Sequence, residues 1–336
     1  MLAMKLLEIQ GLSILGVHFC SPFFGSPRNV EKWRKIYDLD LVQRDISISF
    51  VQMLVRGPAH GFGKTLNPCM DCKILMLSAA REMLEKTGAR FLATGEVIGQ
   101  RPMSQRRDAL NIIRRDAGVG EVLLRPLCAH HCNPTVFEES GLVDRGRLRG
   151  FSGRNRTQQL GLAAELKLDN LPSPAGGCVL TEQENARRYW PVLKKWRSAG
   201  EPANWEECVD DFRLARLGRQ FWRKDSDAWL CVGRKQEDNE ALLSIAGSKD
   251  LTLKLLGFPG PIALCRNGSS WERSWIEEAA QILAAHSTKA LRAGAPVEAS
   301  VFGSQFRSVV RIKPDRLENL WTLPDWETSR KEIRSR

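Results

Sequence analysis

Apolar and polar positions alternate between helix-type and strand-type spacing in the first half of the chain. In residues 72–86, Ile74, Leu77, Ala80 and Met83 recur at helical spacing and share one face, which predicts an amphipathic helix. Shorter helical patterns and compact apolar runs typical of buried strands surround it: helices over 2–9, 29–37 and 105–116, and strands over 14–19, 40–47, 89–96 and 121–127. Strands separated by helices predict a parallel α/β sheet.

The pattern changes in the second half. Residues 186–207 are helical and rich in tryptophan, and shorter elements follow. From residue 208 the chain predicts strands over 212–222 and 228–234, helices over 237–247 and 272–288, and a strand pair near 297–312. This indicates an α/β domain over 1–185, a helical junction over 186–207 and a smaller α+β module over 208–336.

Composition and charge narrow the class of protein. The 336 residues carry 50 Lys+Arg against 39 Asp+Glu, a net charge of +11. A basic excess favours nucleic acid or another polyanion as partner, although a surface charged only for solubility is the alternative. No apolar stretch approaches the ~18–20 residues that span a bilayer, and no signal-peptide cleavage site follows the start. We therefore predict a soluble, cytoplasmic protein without a membrane partner.

Two cysteine motifs carry candidate chemistry. Cys69 and Cys72 form a C-x-x-C pair at the start of the predicted helix, where the helix dipole lowers thiol pKa values. This spacing alone fits zinc, a cluster, a redox pair or coincidence. Cys178 ends the turn-rich run PAGGC, residues 174–178. Three thiolates could hold an iron–sulfur cluster with one iron open to a ligand. Alternatively, Cys178 carries a persulfide or is a small buried residue in a turn.

The run CAHHC, residues 128–132, looks like a metal site but has unsuitable spacing. Adjacent side chains diverge, so four donors within five residues cannot all close around one ion. We predict a surface loop there.

Arginines cluster twice in the first half, near the predicted glycine-rich loops. Arg106 and Arg107 belong to the first cluster, and Arg154 and Arg156 to the second. Arginines so placed suit phosphate contacts on RNA or a nucleotide. A solvated charged face is the alternative.

Six separated segments, in this order, resemble the tRNA thiouridylases of the adenine-nucleotide alpha-hydrolase (PP-loop) superfamily: GKTLNPCMDCKILML, FLATGEVIGQRPMSQ, LLRPL, VDRGRL, SGRNRTQQLGLA and LPSPAGGCVLT. They span about residues 1–185. Beyond them, GRQFW, VGRKQEDNEALL and FPGPIAL resemble an NFACT-type RNA-binding module. That second resemblance adds Arg219 and Arg234 to the candidate RNA contacts.

The first resemblance implies ATP-dependent insertion of sulfur into a tRNA uridine, with Mg²⁺ accompanying ATP. The uracil oxygen is adenylated, and sulfur then displaces AMP. Cys69, Cys72 and Cys178 would be the catalytic cysteines and would bind a [4Fe–4S] cluster, or would relay a persulfide. The implied partners are tRNA and a sulfur donor such as a cysteine desulfurase or sulfide. The resemblance also implies a nucleotide and RNA cleft formed by six residues: Thr94, Gly95, Glu96, Gln100, Arg101 and Ser104.

One departure from this family affects the whole prediction. The Ser-Gly-Gly-x-Asp-Ser loop that grips ATP phosphates, and the strand before it, have no counterpart here. We therefore predict a Rossmann-like parallel sheet without its first strand. Three hypotheses follow: a sulfurtransferase whose true start lies upstream of Met1, a truncated and inactive RNA-binding homologue, or a PP-loop ATPase that acts on a small molecule.

Overall fold

The computed structural model describes residues 1–169, 177–304 and 307–334. The chain divides into two compact units, Met1–Thr181 (unit 1) and Glu182–Arg336 (unit 2). Within the described ranges, every helix is too short or too polar to cross a bilayer.

Unit 1 is mainly helical, with four short strands. Its helices are α1 (Leu2–Glu8), α2 (Pro27–Tyr37), α3 (Ser47–Arg56), α4 (Cys69–Thr87), α5 (Arg107–Asp116), α6 (Val136–Glu139) and α7 (Thr157–Glu165). Its strands are β1 (Gly16–Cys20), β2 (Leu41–Asp45), β3 (Leu92–Ala93) and β4 (Leu123–Leu124).

The strands of unit 1 pair in parallel, but only two at a time. Gly16 of β1 lies opposite Leu41 of β2, and Leu92 of β3 lies opposite Leu123 of β4. The predicted mixed α/β class is therefore confirmed, whereas the predicted Rossmann-like sheet is wrong, because the described residues form separate two-stranded sheets. Helix–strand alternation predicts that strands pair in parallel; it does not determine how many of them join in one sheet.

Helix α1 packs against both strand pairs of unit 1. Its Met4 contacts the cluster that contains Leu41 of β2, and its Leu7 is fully buried in the cluster that contains Leu124 of β4. Burial of α1 side chains in these two clusters therefore packs the helix against each of the two small sheets.

Unit 2 is built around one antiparallel sheet. Its helices are α8 (Gln183–Ala199), α9 (Trp205–Arg216), α10 (Gln236–Ile245), α11 (Arg273–Ala285), α12 (Thr288–Ala293) and α13 (Trp326–Arg334). Its strands are β5 (Arg219–Arg223), β6 (Trp229–Val232), β7 (Leu251–Leu255), β8 (Ile262–Arg266), β9 (Val297–Phe302), β10 (Arg307–Ile312) and β11 (Trp321–Thr322).

The seven strands lie in the order β10-β9-β7-β8-β6-β5-β11, and every neighbouring pair is antiparallel. Strand residues alternate between the two faces of a sheet. Leu253, Ala299, Val310 and Ile312 point to one face, where they form a single core with buried residues of α11. The opposite face of β7, β9 and β10 carries the exposed positions of these strands.

The strand predicted over 212–222 is half wrong. Residues up to Arg216 belong to α9, and the strand begins at Arg219. Asn204 caps α9 by accepting a hydrogen bond from the backbone N–H of Glu206. Gly218 then adopts a left-handed conformation, with φ of +46°, that turns the chain into β5.

Candidate thiol cluster and candidate RNA interface

Helix α4 places two of the predicted cysteines in its first turn. The Sγ of Cys69 accepts a hydrogen bond from Nδ2 of Asn67 at 3.1 Å. Burial, followed by the nearby Cys178 and Cys69 thiols, raises the pKa of Cys72 to about 12. The expectation that the helix dipole lowers the pKa is therefore wrong for Cys72, because desolvation outweighs the dipole.

A short chain of hydrogen bonds fixes the third cysteine near the other two. The Thr65 hydroxyl lies 2.6 Å from the carbonyl oxygen of Leu180 and 2.9 Å from Oδ1 of Asn67. This joins the segment that contains Cys178 to the loop before α4, although 115 residues separate Thr65 from Leu180. Of the predicted PAGGC motif, residues 174–176 lie outside the described residues. The structure thus brings together the three cysteines that the sequence singled out.

These cysteines do not form a ready metal site. In the described ranges, no group of three or more His, Cys, Asp or Glu side chains is arranged to hold a metal ion. As it stands, the donor set does not fit the [4Fe–4S] cluster, which stays a prediction.

The six residues predicted to line a nucleotide cleft lie in one segment of the chain, but they differ in solvent exposure. Glu96 and Ser104 are buried, Thr94, Gln100 and Arg101 are half-buried, and Gly95 is exposed. Oε2 of Glu96 accepts hydrogen bonds from Nε of Arg125 at 3.1 Å and from the Thr94 hydroxyl at 3.0 Å. These contacts make Glu96 part of a buried ion pair. The segment therefore does not fit a triphosphate and Mg²⁺ well, and the ATP site stays a prediction.

The candidate RNA-binding arginines of unit 1 differ in how far their side chains are already bonded to other groups of the protein. Arg106 forms an exposed ion pair with Asp108 at 2.8 Å, and Arg107 donates to the carbonyl oxygen of His131 at 2.9 Å. Arg154 is exposed and Arg156 half-buried just before α7. Exposed guanidinium groups of this kind remain available to phosphates.

Arg219 and Arg234 lie near each other in unit 2. Burial, followed by the positive charge of Arg234, lowers the pKa of Arg219. Arg219 also donates to the carbonyl oxygen of Gly233 at 3.0 Å. Arg219 begins β5 and Arg234 follows β6, and two neighbouring cations attract an anion. Their role in RNA binding stays a prediction.

A larger basic surface, not singled out in the sequence, covers one side of β7, β9 and β10. We call it the open sheet face and define it by six residues: Lys254, Ser300, Phe302, Arg307, Val309 and Arg311. The strand register places Arg307 opposite Phe302, Val309 opposite Ser300, and Ser300 opposite Lys254. Lys254, Arg307 and Arg311 are exposed, as is 55% of Val309. The acidic residue on this face is Glu298, opposite Arg311.

The sequence contained a signal for this face. In residues 307–313, Arg307, Val309, Arg311 and Lys313 alternate with Ser308 and two buried apolar residues. A period of two with cations on one side predicts a strand that is buried on one face and basic on the other. A search for arginines that are close together in the sequence does not detect this pattern. Lys254 and the arginines of β10 come together only when the strands pair.

Comparison with known proteins identifies one domain. Residues 218–322 match the family model described as NFACT protein RNA binding domain. No curated protein matches the chain. A solved structure, the C-terminal part of the fibronectin/fibrinogen-binding protein from Streptococcus suis, aligns with 81% of this chain and 97% of its own length at 11% identity. Its TM-score of 0.28 is too low to establish a shared fold.

These findings correct the identification of residues 1–185 as a tRNA thiouridylase of the PP-loop superfamily, which is wrong. The family that is found is an RNA-binding domain, and its match lies entirely within unit 2. The two separate strand pairs of unit 1 also differ from the single sheet that the resemblance implies. The NFACT-type module predicted beyond residue 208 is confirmed, and with it RNA binding at the level of a domain.

Proposed function

We propose that the protein binds RNA through the open sheet face of unit 2. The match of residues 218–322 to an RNA-binding domain carries this proposal, and β7, β9 and β10 all lie within the matched range. The proposed partner includes tRNA, which the sequence also predicts.

The chemistry of the face supports RNA as the ligand. Arg307 and Arg311 are separated along β10 by about 14 Å, four residues at ~3.4 Å each, so they can contact different phosphates of one strand. Lys254 adds a third cation two strands away. Phe302 lies between Thr252 and Arg307 and offers a ring on which a base can stack. Cations around an apolar and aromatic surface can bind the phosphate backbone of RNA without requiring a particular base sequence.

The test compares two double variants of the full chain. Arg307→Ala with Arg311→Ala removes two cations from the open sheet face. Arg273→Ala with Arg292→Ala removes two exposed arginines from α11 and α12 and serves as the matched control. Fluorescence anisotropy with labelled tRNA should show a Kd raised roughly thirty- to nine-hundredfold for the first variant, at about 1–2 kcal/mol for each of the two lost charged contacts. The control should change Kd by less than about threefold, through net charge alone.

Salt dependence gives a second measurement in the same experiment. Each phosphate contact contributes about 0.7–0.9 to the slope of log K against log salt, so the first variant should lose about 1.4–1.8 from that slope. Equal losses of affinity and slope in both double variants would show that net charge, not the open sheet face, binds the RNA.

The cofactor predictions for unit 1 have tests of their own. Iron and labile sulfide are measured after anaerobic purification of the full chain and of its Cys178→Ala variant, and ATP binding is measured by calorimetry. Iron at stoichiometric amount that the variant loses would establish the three-cysteine ligand set. Equal iron content in both proteins would rule that set out.

A further inference from the structure

The CAHHC run is a single tight turn with one thiol at each end. Cys128 precedes the 3₁₀ turn Ala129–His131, and Cys132 follows it. The backbone N–H of His131 donates to the carbonyl oxygen of Cys128 at 3.0 Å, and that of Cys132 donates to Ala129 at 2.8 Å. The turn brings the two thiols within hydrogen-bonding distance of each other. This arrangement differs from the predicted surface loop.

The two thiols have different access to solvent. Cys128 is fully buried, and its Sγ lies 3.3 Å from the carbonyl oxygen of Glu96. Cys132 is half-buried. A reagent from solvent can therefore reach the Cys132 thiol, whereas the Cys128 thiol is shielded from solvent.

Arginine side chains surround the turn. Arg145 donates to the carbonyl oxygens of Ala129 and Cys132, both at 2.9 Å, and is itself paired with the buried carboxylate of Glu138. Arg107 donates to the carbonyl oxygen of His131 at 2.9 Å. These contacts hold two guanidinium groups beside the turn, where their charge favours a thiolate.

The electrostatics of the pair follow from this geometry. The hydrogen bond from Cys128 and the charges of Arg125, Arg107 and Arg145 outweigh burial and lower the pKa of Cys132 below that of an ordinary thiol. The same hydrogen bond, together with burial, raises the pKa of Cys128. The two thiols thus have separate roles, one as an anion and the other as a proton donor.

The two histidines of the run are occupied by the backbone. Nε2 of His130 lies 3.0 Å from the carbonyl oxygen of Arg145, and Nε2 of His131 lies 2.8 Å from that of Gly150. In the part of the chain that the structure describes, no metal-binding group of three donors includes them.

We propose that Cys132 and Cys128 form a reactive thiol pair, in which Cys132 is oxidised by a hydroperoxide and Cys128 resolves the product. The Cys132 thiolate attacks the outer peroxide oxygen, the O–O bond breaks, and the leaving oxygen takes a proton to give water or an alcohol. The Cys128 sulfur then displaces hydroxide from the sulfenic acid, and its proton leaves with that hydroxide as water. One disulfide forms for each peroxide reduced.

The first test measures alkylation of the full chain by iodoacetamide as a function of pH. Trypsin releases residues 116–145 as one peptide, because the bond between Arg125 and Pro126 resists cleavage, and Cys128 and Cys132 are its cysteines. Alkylation of Cys132 should rise with pH to a plateau, with a midpoint below the pH of about 8.5 at which an ordinary thiol titrates. Cys128→Ala should move that midpoint upward, and Cys128→Ser, which keeps a donor, should move it less. A midpoint at about pH 8.5 or above in the unmodified chain would overturn the proposal.

The second test adds hydrogen peroxide at equimolar amount. The 116–145 peptide should lose two hydrogen atoms in mass, and dithiothreitol should restore it. Cys128→Ser should stop at a sulfenic acid on Cys132 that dimedone traps, and Cys132→Ser should leave Cys128 reduced. Circular dichroism establishes that each variant is folded. A folded chain whose peptide stays reduced, or whose Cys132 is less reactive than the buried Cys208, would overturn the proposal.

Discussion

At the scale of single residues, one buried arginine connects three parts of unit 2. Nε of Arg266, at the end of β8, lies 2.6 Å from Oδ1 of Asp211 in α9, and its other nitrogen lies 2.8 Å from Oδ2 of Asp250 before β7. Lys195 of α8 lies 3.0 Å from the second oxygen of Asp211. Although burial lowers the pKa of Arg266, the two carboxylates raise it overall. The arginine therefore stays charged, and the two cations of the cluster, Arg266 and Lys195, match the charge of its two carboxylates.

Replacing Arg266 with methionine should destabilise unit 2 by about 3–5 kcal/mol, because two buried carboxylates would share a single remaining cation. Urea unfolding followed by circular dichroism measures the change. Arg266→Lys, which keeps the charge but loses one of the two contacts, should cost less. Arg273→Met, at a position that is 85% exposed, is the control and should change stability by less than about 0.5 kcal/mol. A similar small effect of Arg266→Met would show that the cluster is not stabilising.

Residue chemistry was only partly predictable from the sequence. The three cysteines singled out by their motifs do come together, yet the helix start of α4 does not make Cys72 acidic, because burial raises its pKa. The thiol whose pKa is lowered is Cys132, in the CAHHC run, where the sequence pointed to no thiol chemistry. A thiol pKa depends on charges brought near by folding, here on Arg107, Arg125 and Arg145, and residue spacing does not contain that information.

At the scale of elements, the connection from α9 to β5 depends on a glycine. Gly218 has φ of +46°, and a Cβ atom on it would lie 2.3 Å from the carbonyl oxygen of Val232 in β6. That oxygen is part of the backbone, so it cannot move aside without disturbing the pairing of β5 with β6. This position is therefore restricted both by conformation and by space.

Gly218→Ala should destabilise unit 2 by about 2–5 kcal/mol, the sum of about 1–2 for the left-handed conformation and about 1–3 for overpacking. Gly257 supplies the matched control, since it also has a positive φ, of +72°, but no atom lies within 4 Å of its Cβ position. Gly257→Ala should therefore show only the conformational cost. Thermal unfolding of the two variants separates the conformational cost from the cost of overpacking. Equal losses of stability in both variants would mean that β6 shifts to accommodate the added methyl group at little cost.

Elements whose apolar residues repeat at a clear helical or strand spacing could be predicted from the sequence. Elements that depend on tertiary packing or on a distant cap could not. The stripe of Ile74, Leu77 and Ala80 predicted α4 to within three residues of its start and one of its end. Helix α3 was missed, because its residues, ISFVQMLVR among them, are apolar enough to fit a buried strand as well as a helix. Residues 212–216 were assigned to a strand because the cap that starts α9 lies well before them, at Asn204.

At the scale of the whole molecule, each unit has its own apolar clusters. One core of unit 2 joins α11 to the seven-stranded sheet, and the described residues of unit 1 form separate clusters around α1, α4 and α5. The family match covers only part of unit 2. The parallel pairs of unit 1 do not extend into the large sheet that helix–strand alternation implied, and the predicted domain bounds stay a prediction.

A fragment of residues 182–336 should fold alone and keep the affinity of the full chain for tRNA to within about threefold, because it holds the whole open sheet face and an independent core. Cooperative unfolding establishes the fold, and anisotropy at fixed salt compares the Kd values. A folded fragment that binds more than tenfold more weakly would assign part of the RNA interface to unit 1, with Arg154 and Arg156 as the first residues to replace.

Strand β10 is at the margin of the large sheet, and among the described residues it pairs with β9 alone. The backbone groups on its outer side are thus a template to which another chain can add a strand. Arg307, Arg311 and Lys313 place positive charge along this strand, and the same charges on an identical copy oppose its approach to this edge. In the proposed complex, RNA neutralises these cations and the repulsion ends. Chains that carry RNA are therefore the state in which self-assembly along this edge is least opposed.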